Sequence, residues 1–279
     1  MARILKHALK GLLKEEEISL IYGGFDIVGD IAILKIPEQL IEKKKIIADA
    51  LLKQVKPLRT ILLQSTPVSG DYRLRNLECI GGENKTITRY REYGCVFNVD
   101  LATAYFSPRL STERYRIAEL VQPGETVINL FAGVAAFSII IAKKVPTALT
   151  YSIDINPEAH NQALNNIKLN KVTDKVIPIL GDAREAITHL KGKADRVLMP
   201  LPEMAGEYLD TAIEALKPPV GIIHYYSHNY AVRRQDAVNE SIKDIKSLMK
   251  NQYSIISSRI VREVGPRWYQ VVLDLKVTL

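Results

Sequence analysis

The sequence predicts an α/β protein: a doubly wound, largely parallel sheet closed by an antiparallel hairpin and preceded by a small α+β domain. Three observations carry that expectation. From Val127 onward, short apolar runs alternate with helical stretches. Near the C-terminus two further runs are joined by Arg262-Glu263-Val264-Gly265-Pro266-Arg267. The first hundred residues lack the alternation altogether. Short apolar runs separated by helices are the pattern of buried parallel strands with crossover connections.

In chain order, Phe25-Asp26-Ile27-Val28-Gly29-Asp30-Ile31-Ala32-Ile33-Leu34-Lys35-Ile36 reads as a hairpin about a Gly-Asp turn. Gln39–Lys56 reads as a lysine-bearing helix, and Thr60–Leu63, Thr86–Tyr90 and Cys95–Asp100 as short strands of a mixed sheet. Residues 1–104 form the small domain and 105–279 the larger one, with Ser107–Leu120 a helix that packs onto the latter. The larger domain then takes strands at Thr126–Leu130, Ala148–Ile153, Val176–Leu180, Ala194–Met199 and Val220–Tyr225, with helices starting at Ala136, Glu158, Arg184 and Ala205. Tyr253–Val261 and Tyr269–Leu275 make the edge hairpin.

Composition bounds the class. With 279 residues, 47% hydrophobic and 25% charged, the chain can bury a sizeable core. Its longest apolar stretches fall short of the roughly 20 residues of a membrane span, and the lysine-bearing stretch from Met1 to Lys14 has no signal-peptide core, so a cytoplasmic protein is expected. Cys79 and Cys95 make neither a disulfide framework nor a metal spacing and read as small buried hydrophobes; no metal is expected. A net charge of +7 and a pI near 9.2 permit a nucleic-acid partner without demanding one.

In a doubly wound sheet, ligands lie at the carboxyl ends of the strands. Here Val-Ile-Asn129-Leu-Phe131-Ala-Gly133 leads into a helix with one glycine where a dinucleotide fingerprint needs three. Asp154 ends the next strand, about 20 residues on, where a carboxylate takes ribose hydroxyls. A ribose without a pyrophosphate points to S-adenosylmethionine. Gly181-Asp182-Ala183-Arg184 offers a carboxylate to an adenine amine, and Met199-Pro200-Leu201-Pro202 a wall for a flat base. For Asp154 and Asp182 a helix N-cap is the competing role. Ser107–Arg116 gathers cations around Glu113, where Ser111 or Thr112 serves equally as a helix cap. Gly70-Asp71-Tyr72-Arg73-Leu74-Arg75 is a second basic cluster, and His224 ends a strand where a ligand could border it.

Several of these segments resemble the archaeal and eukaryotic Trm5 family, the tRNA (guanine-37-N1) methyltransferases, and their relatives in wyosine biosynthesis. The carriers are Phe25–Asp30, Tyr72–Glu78, Gly82-Glu83-Asn84, Tyr105-Phe106-Ser107-Pro108-Arg109-Leu110 with Glu113-Arg114, Phe131–Val134, Asp154–Pro157 and His224-Tyr225-Tyr226. The resemblance runs from about Phe25 to the C-terminus. It implies a class I methyltransferase fold with an adjoining small domain, S-adenosyl-L-methionine as cofactor, and position 37 beside the tRNA anticodon as target; a monomer is expected. Carried over residue by residue, Arg73 looks like the arginine that holds guanine O6 and Glu113 like the carboxylate that takes the N1 proton. Phe106, Arg109, Asn129, Phe131, Gly133, Asp154, Ile155, Asp182, Ala183 and Pro200 fall at cofactor-binding positions, and Arg73, Arg75, Arg109, Arg114 and Arg116 are expected to offer phosphate and base contacts to the tRNA.

Three departures stand out. Asn129 replaces an acid common in the first cofactor motif. Pro200-Leu201-Pro202 replaces asparagine-leucine-proline, as in archaeal relatives that also methylate C7 of the wyosine intermediate imG-14. The chain also starts too late for the family's small domain that touches the outer corner of tRNA. The expected activity is methylation of guanine-37 N1, with C7 methylation beside it. The alternatives are the aminocarboxypropyl transferase of the same pathway and a tRNA-binding relative without catalysis.

Overall fold

The computed structural model describes residues 2–22, 24–68 and 70–279. They divide into two compact units, Met1–Arg109 and Leu110–Leu279.

The first unit contains α1 (Ala2–Ala8), α2 (Glu15–Leu20), β1 (Asp26–Val28), β2 (Ile31–Leu34), α3 (Lys44–Gln54), β3 (Thr60–Gln64), β4 (Leu77–Gly82), β5 (Ile87–Glu92) and β6 (Cys95–Asp100). Its sheet runs β1-β2-β3-β4, with β2 and β3 parallel and the other pairs antiparallel; β5 and β6 form a separate ribbon. On α3, Ile47, Ala48, Ala50 and Leu51 are buried, the 3–4 spacing of a helix with one face on a sheet. The expected Gln39–Lys56 helix is a 3₁₀ segment, Glu38–Lys43, followed by α3. Helices α1 and α2 and strand β4 were not anticipated.

The second unit contains α4 (Ser111–Leu120), β7 (Thr126–Asn129), α5 (Ala136–Lys144), β8 (Leu149–Asp154), α6 (Pro157–Leu169), β9 (Val176–Leu180), α7 (Ala183–Ile187), β10 (Arg196–Met199), α8 (Leu209–Ala215), β11 (Val220–Tyr230), α9 (Ala237–Leu248), β12 (Tyr253–Gly265) and β13 (Trp268–Thr278). The sheet order is β12-β13-β11-β10-β7-β8-β9. Strands β11 to β9 are parallel; β13 runs antiparallel to β11, and β12 pairs antiparallel with β13 at the edge. The order reverses at β7, with β8 and β9 on one side and β10 and β11 on the other. That is the switch point where such sheets bind ligands. Helix α5 is buried from Ala136 to Ala142, as a stretch apolar on every side but for Ser138 must be.

One element outruns its apolar pattern and another falls short of it. Strand β11 continues through the polar Ser227-His228-Asn229-Tyr230 because β13 pairs with it from Val220↔Thr278 to Tyr230↔Trp268. The expected helix at Ala205 starts only at Leu209. Helix α4 begins without a side-chain cap, its N-cap position being Leu110, so neither Ser111 nor Thr112 has the capping role. Among the described residues no helix is long and apolar enough to cross a membrane, and no His/Cys/Asp/Glu group could hold a metal ion.

Candidate active site

At the switch point the chain leaves β7 at Asn129 and turns through Phe131-Ala132-Gly133 into α5. Gly133 has φ 54° and Ala135 φ 63°, so two residues of the turn are left-handed. Glycine takes that conformation without cost, whereas alanine tolerates it only when the surroundings demand it. The turn aims the Gly133 N–H at Asp154 Oδ2, 2.6 Å away, and the Asn156 N–H holds Oδ1 at 2.9 Å. Burial pushes the Asp154 carboxyl above its usual range, against the opposing pull of the Asn156 and Gly133 N–H groups. Asp154 is not a helix cap: Asn156 caps α6, accepting from the N–H groups of Glu158 and Ala159. Next to Asp154, Ile155 is 44% exposed, an apolar face beside a polar anchor.

Asn129 is fully buried. Its Oδ1 accepts the Phe131 N–H at 3.4 Å, and its Nδ2 has no partner. A buried amide donor left unpaired costs about 1–3 kcal/mol, so this N–H is available to an acceptor on a bound molecule. The acid expected at this position could not donate.

Asp182 is the N-cap of α7. Oδ1 accepts the Arg184 N–H at 2.7 Å and Oδ2 the Tyr208 hydroxyl at 2.8 Å. Its capping role, weighed against an adenine contact in the sequence, is therefore present, and each oxygen retains a further lone pair for a ligand. Ala183 behind it is buried. Tyr208 was not anticipated. Its ring meets Phe131 edge-on at 5.1 Å, Arg184 lies 4.1 Å over its face, and burial with the Asp182 bond pushes its hydroxyl up to about 12. It links the first and third strand ends, and a lone tyrosine in Glu207-Tyr208-Leu209 carries no motif that could have revealed it. Pro200, half-buried, follows β10 as expected.

A second polar group lies under α4. Glu113 is 2% exposed. Arg116 grips it with two bonds, 2.7 and 3.0 Å, the Tyr226 hydroxyl donates at 2.7 Å, and Arg259 stands 3.7 Å away. Arg116 also holds Asp274 at 2.6 and 3.2 Å. Asp274 accepts from His224 Nδ1, and Arg196 lies 2.7 Å from His224 Nε2 while pairing with Glu125. An arginine only donates, so Nε2 accepts and the proton sits on Nδ1. Burial lowers the His224 pKa against the raising effect of Asp274, keeping the ring neutral. Burial works to raise Asp274, but the bonds from His224 and Arg116 overcome it and hold the carboxyl far below the usual range.

This chain of charges overturns two expectations. His224 is fully buried between Arg196 and Asp274 and borders no ligand. Arg114, 3% exposed, and Arg116, largely covered and committed to two carboxylates, are poorly placed to serve as phosphate contacts.

In the first unit, Arg73 closes a turn, its N–H bonded to the Gly70 carbonyl at 3.0 Å and its φ at 57°. Arg109 pairs with Asp26 at 2.6 Å, and Arg75 reaches Gln64 at 3.2 Å. Phe106 is buried edge-on against Tyr90 at 5.1 Å, where it packs the β5–β6 ribbon.

Taken together, a single-glycine turn, a buried carboxylate at the end of the next strand and a seventh antiparallel strand define a class I α/β methyltransferase-type fold. Residues 88–256 match the model of the TRM5/TYW2 methyltransferase domain and residues 5–86 that of the TYW2 N-terminal domain, so the chain belongs to the TRM5/TYW2 family. It is 40% identical to the tRNA (guanine(37)-N(1))-methyltransferase Trm5b of Pyrococcus abyssi, over 91% of this chain and 74% of that one. It is 34% identical to the tRNA 4-demethylwyosine(37)-methyltransferase Taw21 of Saccharolobus solfataricus, over 98% of this chain and 99% of that one. A solved complex of aTrm5 with tRNALeu superposes with a TM-score of 0.86 at 35% identity, covering 100% of this chain and 79% of that one.

Proposed function

We propose that this protein is an S-adenosylmethionine-dependent tRNA methyltransferase acting at position 37, with N1 of guanine as its first target. The observation that carries the reading is the Asp154 carboxylate, fixed at the end of β8 by the N–H of Gly133 in a TRM5/TYW2 methyltransferase domain. Asp154 has lone pairs left for a ribose diol, Ile155 gives an apolar face to an adenine, and the orphan Asn129 Nδ2 suits the carboxylate of a methionine end. The cofactor supplies an electrophilic methyl group on a sulfonium.

The chain's residues supply the rest. Guanine N1 carries a proton that must leave as the new N–C bond forms, and charge spreads to O6. Glu113 receives the proton and Arg73 stabilises the oxygen. Glu113 enters this role already bonded to Arg116 and Tyr226, so the network orients the carboxylate and Arg116 compensates its charge. The protein works as a cytoplasmic monomer without a metal.

A second reading, methyl transfer to C7 of the tricyclic intermediate, is favoured by Pro200 and by the near end-to-end match to the Saccharolobus protein. Proline offers no amide to read a base edge, so stacking decides what fits. Mass spectrometry of nucleosides, after incubation with cofactor and tRNAs bearing either guanine or the tricyclic base at position 37, tests both. N1-methylguanosine from the first and a C7-methylated product from the second are expected. Absence of the C7 product removes the second reading, and Pro200→Asn is expected to lower the C7-to-N1 ratio. Absence of any methylated nucleoside removes both.

A further inference from the structure

On the face of the sheet away from Glu113, a cavity of about 750 Å³ opens where β11, α9 and the β12–β13 turn meet. Strand alternation separates the two faces. Tyr226 reaches Glu113, whereas its neighbours Tyr225 and Ser227 line the cavity. The volume is that of a small-molecule site.

The lining has a distinct chemistry. Trp268 and Tyr225 give flat aromatic walls and Leu248 an aliphatic one, Glu203 and Asp244 are acids, and no lysine or arginine lines it among the described residues. His228 Nδ1 lies 3.3 Å from Glu203, which can only accept, so Nδ1 carries a hydrogen. His228 Nε2 is buried without a partner. The acids disfavour a phosphate, the aromatic walls favour a planar ring, and the acceptors favour a ring edge bearing N–H donors.

We propose that this cavity receives a second nucleobase of the RNA, one with amino donors and guanine above all, while the base being methylated lies on the Glu113 face. The inference rests on RNA as the substrate. Guanine presents adjacent imino and amino donors to a carboxylate, adenine and cytosine present an amino group without an adjacent imino N–H, and uracil presents a single imino N–H between two carbonyl acceptors. Stacking on Trp268 holds any of them.

Trp268 is the single tryptophan of the chain, so its fluorescence reports this cavity directly. Titration with guanosine is expected to quench it saturably, with adenosine and cytidine weaker, uridine weakest and inorganic phosphate without effect. Ser247→Phe, on the exposed rim at α9, fills the cavity without touching the cofactor strand ends. It is expected to abolish the quenching and to raise KM for an anticodon stem-loop about tenfold, within the range of one base–aromatic stack, at an unchanged saturating single-turnover rate. His228→Phe is expected to weaken guanosine more than uridine. Unquenched fluorescence with all four nucleosides, or quenching that survives Ser247→Phe, overturns the proposal. A fall in the saturating rate at constant KM overturns it too, since the cavity would then hold the target base. Quenching needs no methyl transfer, so a protein that bound guanosine here yet methylated nothing would refute the proposed activity alone.

Discussion

Replacing Glu113 with glutamine separates two roles that its surroundings combine. The carboxylate accepts two bonds from Arg116 and one from Tyr226 while 2% exposed. In the variant the amide oxygen can keep Tyr226 and one arginine bond, but the amide N–H₂ then faces Arg116 Nε, donor against donor. Breaking a buried pair from one side costs about 3–5 kcal/mol. Arg116 keeps both bonds to Asp274, which places the loss near the lower figure. At about 2–4 °C per kcal/mol for a unit of this size, the melting midpoint is expected to fall by about 6–12 °C. Removing a general base also lowers single-turnover methylation by about 10²–10⁴-fold. Calorimetric melts give the first quantity and rapid quench, well below the midpoint and at saturating cofactor, gives the second. Tyr226→Phe is the control: it removes one donor, costs about 1 kcal/mol and leaves the carboxylate in place. If Glu113→Gln melts as expected but methylates within a few-fold of the parent, the carboxylate is structural and the proton leaves elsewhere.

Three further outcomes follow from the same geometry. Burial raises the Asp154 carboxyl, so cofactor affinity measured by calorimetry should decline at a higher pH than an ordinary carboxylate would set. Asp154→Asn should weaken binding by about 1–3 kcal/mol and flatten that pH dependence, and an unchanged affinity would remove Asp154 from the site. His224 stays neutral when folded but takes a proton near its ordinary value once unfolded, so the unfolded state binds more protons in acid. Stability, read from melts, should therefore drop as pH falls below about 6.5, by at most about 1.4 kcal/mol per unit, and a flat profile between pH 7 and 5 would show the ring already charged in the fold. Finally, tRNA affinity should fall steeply with salt, and Arg73→Ala and Arg109→Ala should each reduce the slope by about 1. An equal reduction from Arg116→Met would contradict the burial of that side chain between Glu113 and Asp274.

The parallel strands were legible because each is a short apolar run bounded by helices, and Asp154 was legible because its spacing from the glycine turn follows from the βαβ geometry. What stayed hidden depends on long-range register. Asp274 lies 158 residues from Arg116, inside the apolar run Val271–Leu275, and only the pairing of β13 with β11 brings it beside His224. Without that partner, Glu113-Arg114-Tyr115-Arg116 reads as an exposed basic helix start, which is why Arg114 and Arg116 were assigned to phosphates. Strand β4 escaped notice because Leu77-Glu78-Cys79-Ile80-Gly81-Gly82 buries only Ile80 fully and takes its order from β3. Asn129 was legible as a departure; that its amide ends without a partner required the packed interior.

Strand β11 also governs how this enzyme can change over generations. Consecutive side chains, Tyr225 and Tyr226, serve compartments that share no residue, so substitutions on the α9 face and on the α4 face should combine additively. Substitutions at Glu203, Asp244 or Trp268 could therefore accumulate while the bonds around Glu113 remained intact. A single-residue insertion or deletion in β11 has no such freedom. Shifting its register against β13 by one place would send Tyr226 into the cavity and Tyr225 toward Glu113, exchanging both compartments at once.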